Sequence, residues 1–271
     1  MTNKLKGEFL MELNLEGKTA LIMASSQGLG KAVATELVKE GTNVMISSRN
    51  PEKLNKVQEE LKAIGKGKVA FFPADITKSE DIQQLVKETK KVFGSIDILI
   101  NNAGGPPSSS FEDLSDEDWE NSFQLNLLSY IRAIREVLPD LKENGGKIIN
   151  IASSSIKQPI PGLILSNTFR LGIVGLSKTL AEELGPYKIL INTVAPGRIA
   201  TDRITELDEI TAKKQNKTME EITQKAQDSI PLGRYGTPEE FAKIVVFLVS
   251  DVNTYVTGSS LMIDGGSVKA I

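Results

Sequence analysis

The chain has 271 residues, 40% of them hydrophobic and 25% charged, with a formal net charge of −3; that is enough to bury a substantial core and reads as one large α/β domain. Its charges are interspersed and form no basic stripe, which excludes a polyanion such as nucleic acid as a partner. Cysteine and histidine are both absent, so disulfides, thiolate nucleophiles, thiolate or imidazole metal ligands and the usual general base are excluded, and any chemistry falls to hydroxyls, amides, carboxylates, Lys or Arg.

Residues 1–10 carry Lys4 and Lys6, precede anything strand-like, and stand before a second possible start at Met11; they are expected to be a flexible N-terminal extension, leaving 11–271 as a single domain. No segment approaches the roughly 20 apolar residues that span a bilayer, so a soluble cytoplasmic protein is expected. Apolar runs of strand length recur at 19–24, 43–48, 68–73, 96–101, 147–152, 189–195 and 260–264, with helical patterns between most of them. Repeated βα units of this kind predict a buried parallel sheet covered by helices on both faces. The first helix is expected over 31–40, with Lys39 as a C-terminal cation and Gly41 as a left-handed cap. Ser115 with Asp118, and Thr237 with Pro238 and Glu240, mark two helix starts. The stretch 198–234 breaks the rhythm: it is long, charged and helix-permissive, with Ile204, Leu207, Ile210, Met219, Ile222 and Ala226 spaced to cover something. A substrate lid is favoured there over a peripheral helical hairpin.

Gly28 and Gly30 lie where the first strand hands over to the first helix. Small residues at such a junction let free backbone N–H groups and the positive end of a helix dipole converge on one point, which suits a pyrophosphate. A short glycine pair also serves tight packing of helix on strand, so both readings stand at this point.

With that layout, Ala24-Ser-Ser-Gln-Gly28-Leu-Gly30, Asn101-Asn-Ala-Gly104 and Pro196-Gly197 followed by Thr201 resemble the short-chain dehydrogenase/reductase family, over about 15–266. The phrases from Pro231 to Glu240 and from Thr257 to Gly266 look most like its 3-oxoacyl-acyl-carrier-protein reductase branch. The resemblance implies a single Rossmann-type doubly wound domain with a seven-stranded parallel sheet, assembled as a homotetramer or homodimer through helices around 111–141 and 161–184. It implies an oxidoreductase acting on a small carbonyl or alcohol. The matching cofactor positions are Ser25, Gln27, Gly28, Leu29 and Gly30 in the glycine turn, Asp75 and Ile76 at the adenine, Asn101, Ala103 and Gly104 after the fourth strand, and Pro196, Gly197, Ile199 and Thr201 after the sixth. Asn101 and Asn102 could equally hold neighbouring strand ends. Met23 and Ala24 replace the Thr and first Gly of the family's turn, and a positive φ at Ala24 would cost about 1 kcal/mol relative to glycine. At the end of the second strand stand Ser47, Ser48 and Arg49; a hydroxyl followed by a guanidinium suits a 2′-phosphate, where an acid would select the free ribose hydroxyl, so NADP is favoured over NAD. The alternative is a surface pair between Arg49 and an acid such as Glu52, and the glycine turn offers Gln27 where some NADP members carry a second basic residue.

The family's Ser, the Tyr thirteen residues on and the Lys four further fall at Ser153, Ser166 and Arg170, with its Asn at Asn126. Tyr is thus replaced by Ser and Lys by Arg. An aliphatic hydroxyl is a far weaker acid than a phenol, and Arg does not readily release a proton. What remains is a set of donors, Ser153, Ser154 or Ser166 and Asn126, able to cradle an oxyanion, with Arg170 to hold the ribose and add positive charge. Ile173, Leu176, Leu180 and Leu184 form the packing stripe of that helix. Tyr130, one turn beyond Asn126, is the sole positional substitute for the missing phenol. The alternative to an enzyme is a catalytically silent NADP(H)-binding sensor or assembly subunit.

Overall fold

A computed structural model describes residues 12–270; the expected extension over 1–10 lies outside them. Seven strands, β1 (Thr19–Ile22), β2 (Asn43–Ser48), β3 (Val69–Pro73), β4 (Ile98–Asn101), β5 (Gly146–Ile151), β6 (Ile189–Pro196) and β7 (Ser260–Ile263), form one sheet in the order β3-β2-β1-β4-β5-β6-β7. Every pairing is parallel. The order reverses between β1 and β4, so the crevice for a ligand opens at the carboxyl ends of those two strands. The expected runs sit on these strands, with ends displaced by two residues at most.

Helices cover both faces: α1 (Gly28–Lys39), α2 (Pro51–Lys62), α3 (Ser79–Phe93), α4 (Asp116–Phe123), α5 (Ser129–Asn144), α6 (Ile164–Leu184), α7 (Asp202–Gln215), α8 (Met219–Asp228) and α9 (Pro238–Val249). One apolar cluster places Val33, Leu37, Phe241 and Val245 of α1 and α9 on one face of the sheet; the other sets Tyr130, Val137 and Ile173 of α5 and α6 against Leu21, Leu99 and Ile148. Ile173 and Leu184 are buried and Leu176 and Leu180 pack beside them, as the stripe predicts.

The capping signals hold. Ser115 and Asp118, and Thr237 and Glu240, form reciprocal capping boxes with Pro238 in the first turn of α9, and Gly41 takes φ +82° just past α1. The first helix starts at Gly28, three residues before its expected start. Between α4 and α5 a π-helical turn, Gln124–Leu128, carries Asn126; such turns recur at functional sites. The stretch 198–234 folds as a helical hairpin, α7 and α8, burying Asp208, Ala212, Ile222 and Ala226 while Ile204, Leu207, Ile210 and Met219 are half-buried.

Candidate active site

The glycine turn is built by close approach. Ala24 adopts φ +47° and Gly28 φ +57°, so the strain expected at Ala24 is present. A Cβ at Gly30 would meet the Ala24 carbonyl oxygen at 2.7 Å and Asn102 Nδ2 at 2.8 Å, and that Nδ2 donates to the Ala24 carbonyl at 3.0 Å. Ser25 ties the turn to β2: its hydroxyl donates to the Ile22 carbonyl at 2.8 Å and accepts the Ser47 N–H at 2.9 Å. That side chain is fully buried and spent within the protein, so it shapes the turn. Gln27 is the N-cap of α1 in extended backbone and makes no side-chain cap bond, leaving the first amides of α1, from Gly28, Leu29 and Gly30, without a side-chain acceptor.

At the end of β2, Arg49 is exposed and enters no ion pair among the described residues, with Glu52 or any other acid. At the end of β3, Asp75 accepts from the Thr77 N–H at 3.0 Å and the Thr77 hydroxyl at 2.7 Å. Burial raises its pKa, but the two Thr77 bonds and the charges of Arg49 and Lys78 outweigh burial and hold the carboxyl below its ordinary value. Ile76 is buried beside it.

The strand ends at β4 and β5 are joined by a buried polar chain: Asn101 Nδ2 donates to Asn150 Oδ1 at 2.7 Å, Asn150 Nδ2 to the Ser177 hydroxyl at 2.9 Å, and Ser177 and Thr193 hydroxyls lie 2.9 Å apart. Asn101 therefore does hold neighbouring strands. Ala103 is buried and Gly104 exposed in the loop that follows. After β6, Gly197 fits closely against Asp264, Ile199 is buried, and Thr201 is the N-cap of α7.

Ser153, Ser166 and Arg170 come together where β5 ends against α6. The Ser153 hydroxyl accepts the Ser155 N–H at 3.2 Å, and Ser155 and Ser166 hydroxyls are 3.4 Å apart. Ser166 and Arg170 are 5% and 4% exposed. The Arg170 guanidinium has no carboxylate among the described residues: Nη1 donates to the Ile151 carbonyl at 2.6 Å and to the Tyr130 hydroxyl at 3.0 Å, and Nη2 to the Ala103 carbonyl at 3.4 Å. Tyr130 in turn donates to the Ile151 carbonyl at 2.8 Å. Tyr130 is fully buried, and burial pushes its pKa up against the opposing pull of Arg170. A phenol so held keeps its proton, which points into protein. This network went unseen in the sequence because Tyr130 and Arg170 are forty residues apart and only the packing of α5 on α6 joins them.

Three buried polar groups of this region lack a protein partner: both amide atoms of Asn126, Asn101 Oδ1 and Arg170 Nε. Buried polar atoms are nearly always satisfied, so a ligand or ordered water is the natural partner for them. Together with the uncapped start of α1 and the cradle at Gly30, the residues fit a nicotinamide dinucleotide laid across the carboxyl ends of β1, β4 and β5.

Above this crevice the helical hairpin is anchored at two points. Arg203 donates to the Pro106 carbonyl at 2.8 Å and packs where a Cβ at Gly105 would fall. Asp208, 2% exposed, accepts from Arg198 at 2.5 Å and from the Tyr235 hydroxyl at 2.7 Å.

A parallel sheet of this order, with a glycine turn at its switch point, defines a Rossmann-type α/β fold. A family model described as Enoyl-(Acyl carrier protein) reductase matches residues 23–268. The chain is 35% identical over 257 residues to the 3-oxoacyl-[acyl-carrier-protein] reductase FabG of Aquifex aeolicus, covering 94% of this chain and 99% of that one. It is 31% identical to the NADPH-dependent reductase BacG of Bacillus subtilis, again covering 94% and 99%. The crystal structure of L-sorbose reductase from Gluconobacter frateurii, complexed with NADPH and L-sorbose, superposes with a TM-score of 0.92 at 30% identity over 96% of this chain and all of that one. The chain belongs to the short-chain dehydrogenase/reductase family and is an oxidoreductase of its 3-oxoacyl-acyl-carrier-protein reductase-like branch. No helix among the described residues is long and apolar enough to cross a membrane.

Proposed function

We propose that the protein is an NADP(H)-dependent reductase of a small carbonyl substrate, working with Ser153, Ser166, Asn126 and Arg170 and taking its proton from water. The observation that carries this reading is the carboxylate-free, buried guanidinium of Arg170 one helical turn from Ser166, whose hydroxyl has only that of Ser155 as partner. A fixed positive charge in a dry site stabilises a developing oxyanion far better than it would in water, and hydroxyl donors there need little reorganisation. Bound NADPH would supply the hydride. Ser153 and Ser166 would orient the carbonyl oxygen, and Arg170, pinned by Ile151 and Ala103, would hold its charge beneath them. An aliphatic hydroxyl is a far weaker acid than a phenol, and losing a placed acid typically forfeits about 10²- to 10⁴-fold in rate. A slow, specialised reductase follows.

The preference for NADP(H) is supported by Ser48 and the unpaired Arg49 at the end of β2, where no acid stands to repel a 2′-phosphate, and by the NADPH-bound and NADPH-dependent relatives. Exposed Phe111, Phe123 and Leu171 around α4 and α6 support pairing of subunits there, as a homodimer or homotetramer; sedimentation as a monomer would remove that part of the reading.

The arrangement also suits a catalytically silent NADP(H)-binding subunit, because the two terminal nitrogens of Arg170 are engaged by backbone carbonyls and Tyr130 faces inward. The deciding experiment titrates NADPH and NADH by quenching of the single Trp119, then measures NADPH oxidation over a panel of ketones and aldehydes, with Arg170→Ala as control. Turnover above the control supports the reductase; tight NADPH binding with no turnover on any carbonyl supports the silent subunit; no binding of either nucleotide defeats both.

A further inference from the structure

We propose that Lys53, through its contact with Gln27, supplies a second cation for the 2′-phosphate and is a determinant of NADP(H) selectivity in this chain; the inference rests on the NADP(H) reading above. The glycine turn after β1 itself carries no cation, and Gln27 occupies its polar position. The structure brings one in from the neighbouring unit. Lys53 Nζ donates to Gln27 Oε1 at 3.3 Å, spanning the turn after β1 and the start of the helix after β2.

Three observations give the contact a purpose. Gln27 is the N-cap of α1, and its side chain, free of any capping bond, turns instead to Lys53. Lys53 lies in the first turn of α2, its own N–H held by Asn50 Oδ1 at 2.9 Å. A cation at that end of a helix opposes the dipole, and Arg49, just before the N-cap, adds a like charge.

Neither cation is held in contact with a carboxylate, although Arg49 feels the charge of Asp75. Among the described residues neither Arg49 nor Lys53 enters an ion pair, although Glu52 shares the same turn, while nearby Lys31 and Lys62 pair with Glu60 and Glu59. Lys53 at Gln27, the N-cap of α1, and Arg49 at the end of β2 would together give a ribose 2′-phosphate two cations at this end of the sheet. Arg49 would offer paired donors and Lys53 a mobile point charge, the division of labour their chemistry suggests.

The test measures dissociation constants for NADPH and NADH by Trp119 quenching and calorimetry in wild type, Lys53→Met, Lys53→Arg and Arg49→Met, with thermal melting to show that each exposed variant remains folded. Lys53→Met is expected to weaken NADPH about tenfold, the loss of one charge-assisted contact, to leave NADH within about twofold by the same reasoning, and to flatten the salt dependence of NADPH binding; Lys53→Arg is expected to restore it. A wild type that selects NADPH while Lys53→Met keeps the same NADPH-to-NADH ratio overturns the role of Lys53. A wild type with no preference for NADPH overturns the cofactor reading beneath it, a separate and distinguishable result.

Discussion

Arg170 and Tyr130 share the carbonyl of Ile151, with Nη1 of the arginine 3.0 Å from the phenol oxygen and both side chains donating to that one acceptor. A buried guanidinium without a carboxylate is costly, and here carbonyl dipoles from the ends of two strands compensate it. The phenol is consumed in fixing the charge.

Tyr130→Phe is therefore expected to lower stability by about 1–2 kcal/mol, the cost of removing one acceptor from a charged donor, while the Ile151 carbonyl keeps its bond from Arg170. Calorimetric melting measures that loss. The pH profile of turnover is expected to keep its shape, because burial holds the phenol protonated; a limb that disappears in this variant would make Tyr130 the proton donor.

Ala24→Gly relieves a left-handed alanine at φ +47° in the nucleotide turn. Relief of about 1 kcal/mol is partly offset by the greater freedom of glycine in the unfolded chain. The expected result is a small rise in melting temperature and unchanged or tighter NADPH binding; a clear fall in either indicates that Ala24 makes contacts worth more than its strain.

Asp208 fastens the helical hairpin to the body of the molecule through Arg198 and Tyr235. Asp208→Ala is expected to cost about 2 kcal/mol, below the full price of breaking a buried pair because the Arg198 side chain is 37% exposed and can be hydrated. Limited proteolysis should then cut first within 202–228. Unchanged protection of that segment would remove the anchor assigned to Asp208.

Glu240 closes the capping box of α9 and pairs with Arg234, which, ahead of the Thr237 amide, lowers its pKa to about 2 from its ordinary 4.5. A folded value below the unfolded one adds stability that is complete above the unfolded pKa and disappears as pH falls through the folded one. Melting temperature should thus fall from about pH 4.5 toward about 2, and Glu240→Gln should make that decline shallower. The same slope in both proteins contradicts the pairing.

Much of the scaffold was legible in the chain. Continuous apolar runs such as Asn43–Ser48 mark strands buried on both faces, and local chemistry such as Ser115 with Asp118 marks helix starts, since a capping box needs only residues three apart. The helical pattern starts at Lys31, yet the helix begins on Gly28, inside the glycine junction. Thr218 with Glu221 forms the same box at α8, inside a stretch whose charge and length mask its two separate helices. At the site, the family resemblance alone singles out Ser153, Ser166 and Arg170. The inward-facing Tyr130, the burial of Asp208 and the Lys53–Gln27 contact did not, because each depends on how separate helices meet.

The central claim is hydride transfer in a site that holds charge but no titrating acid. The direct measurement is the rate of NADPH oxidation with the best carbonyl substrate between about pH 6 and 9, the range where a Lys-assisted phenol would titrate, compared between wild type and Ser166→Ala. The account predicts a slow rate without a titration limb across that range, and a lower but equally flat profile in the variant. A limb in wild type that Ser166→Ala abolishes would contradict it.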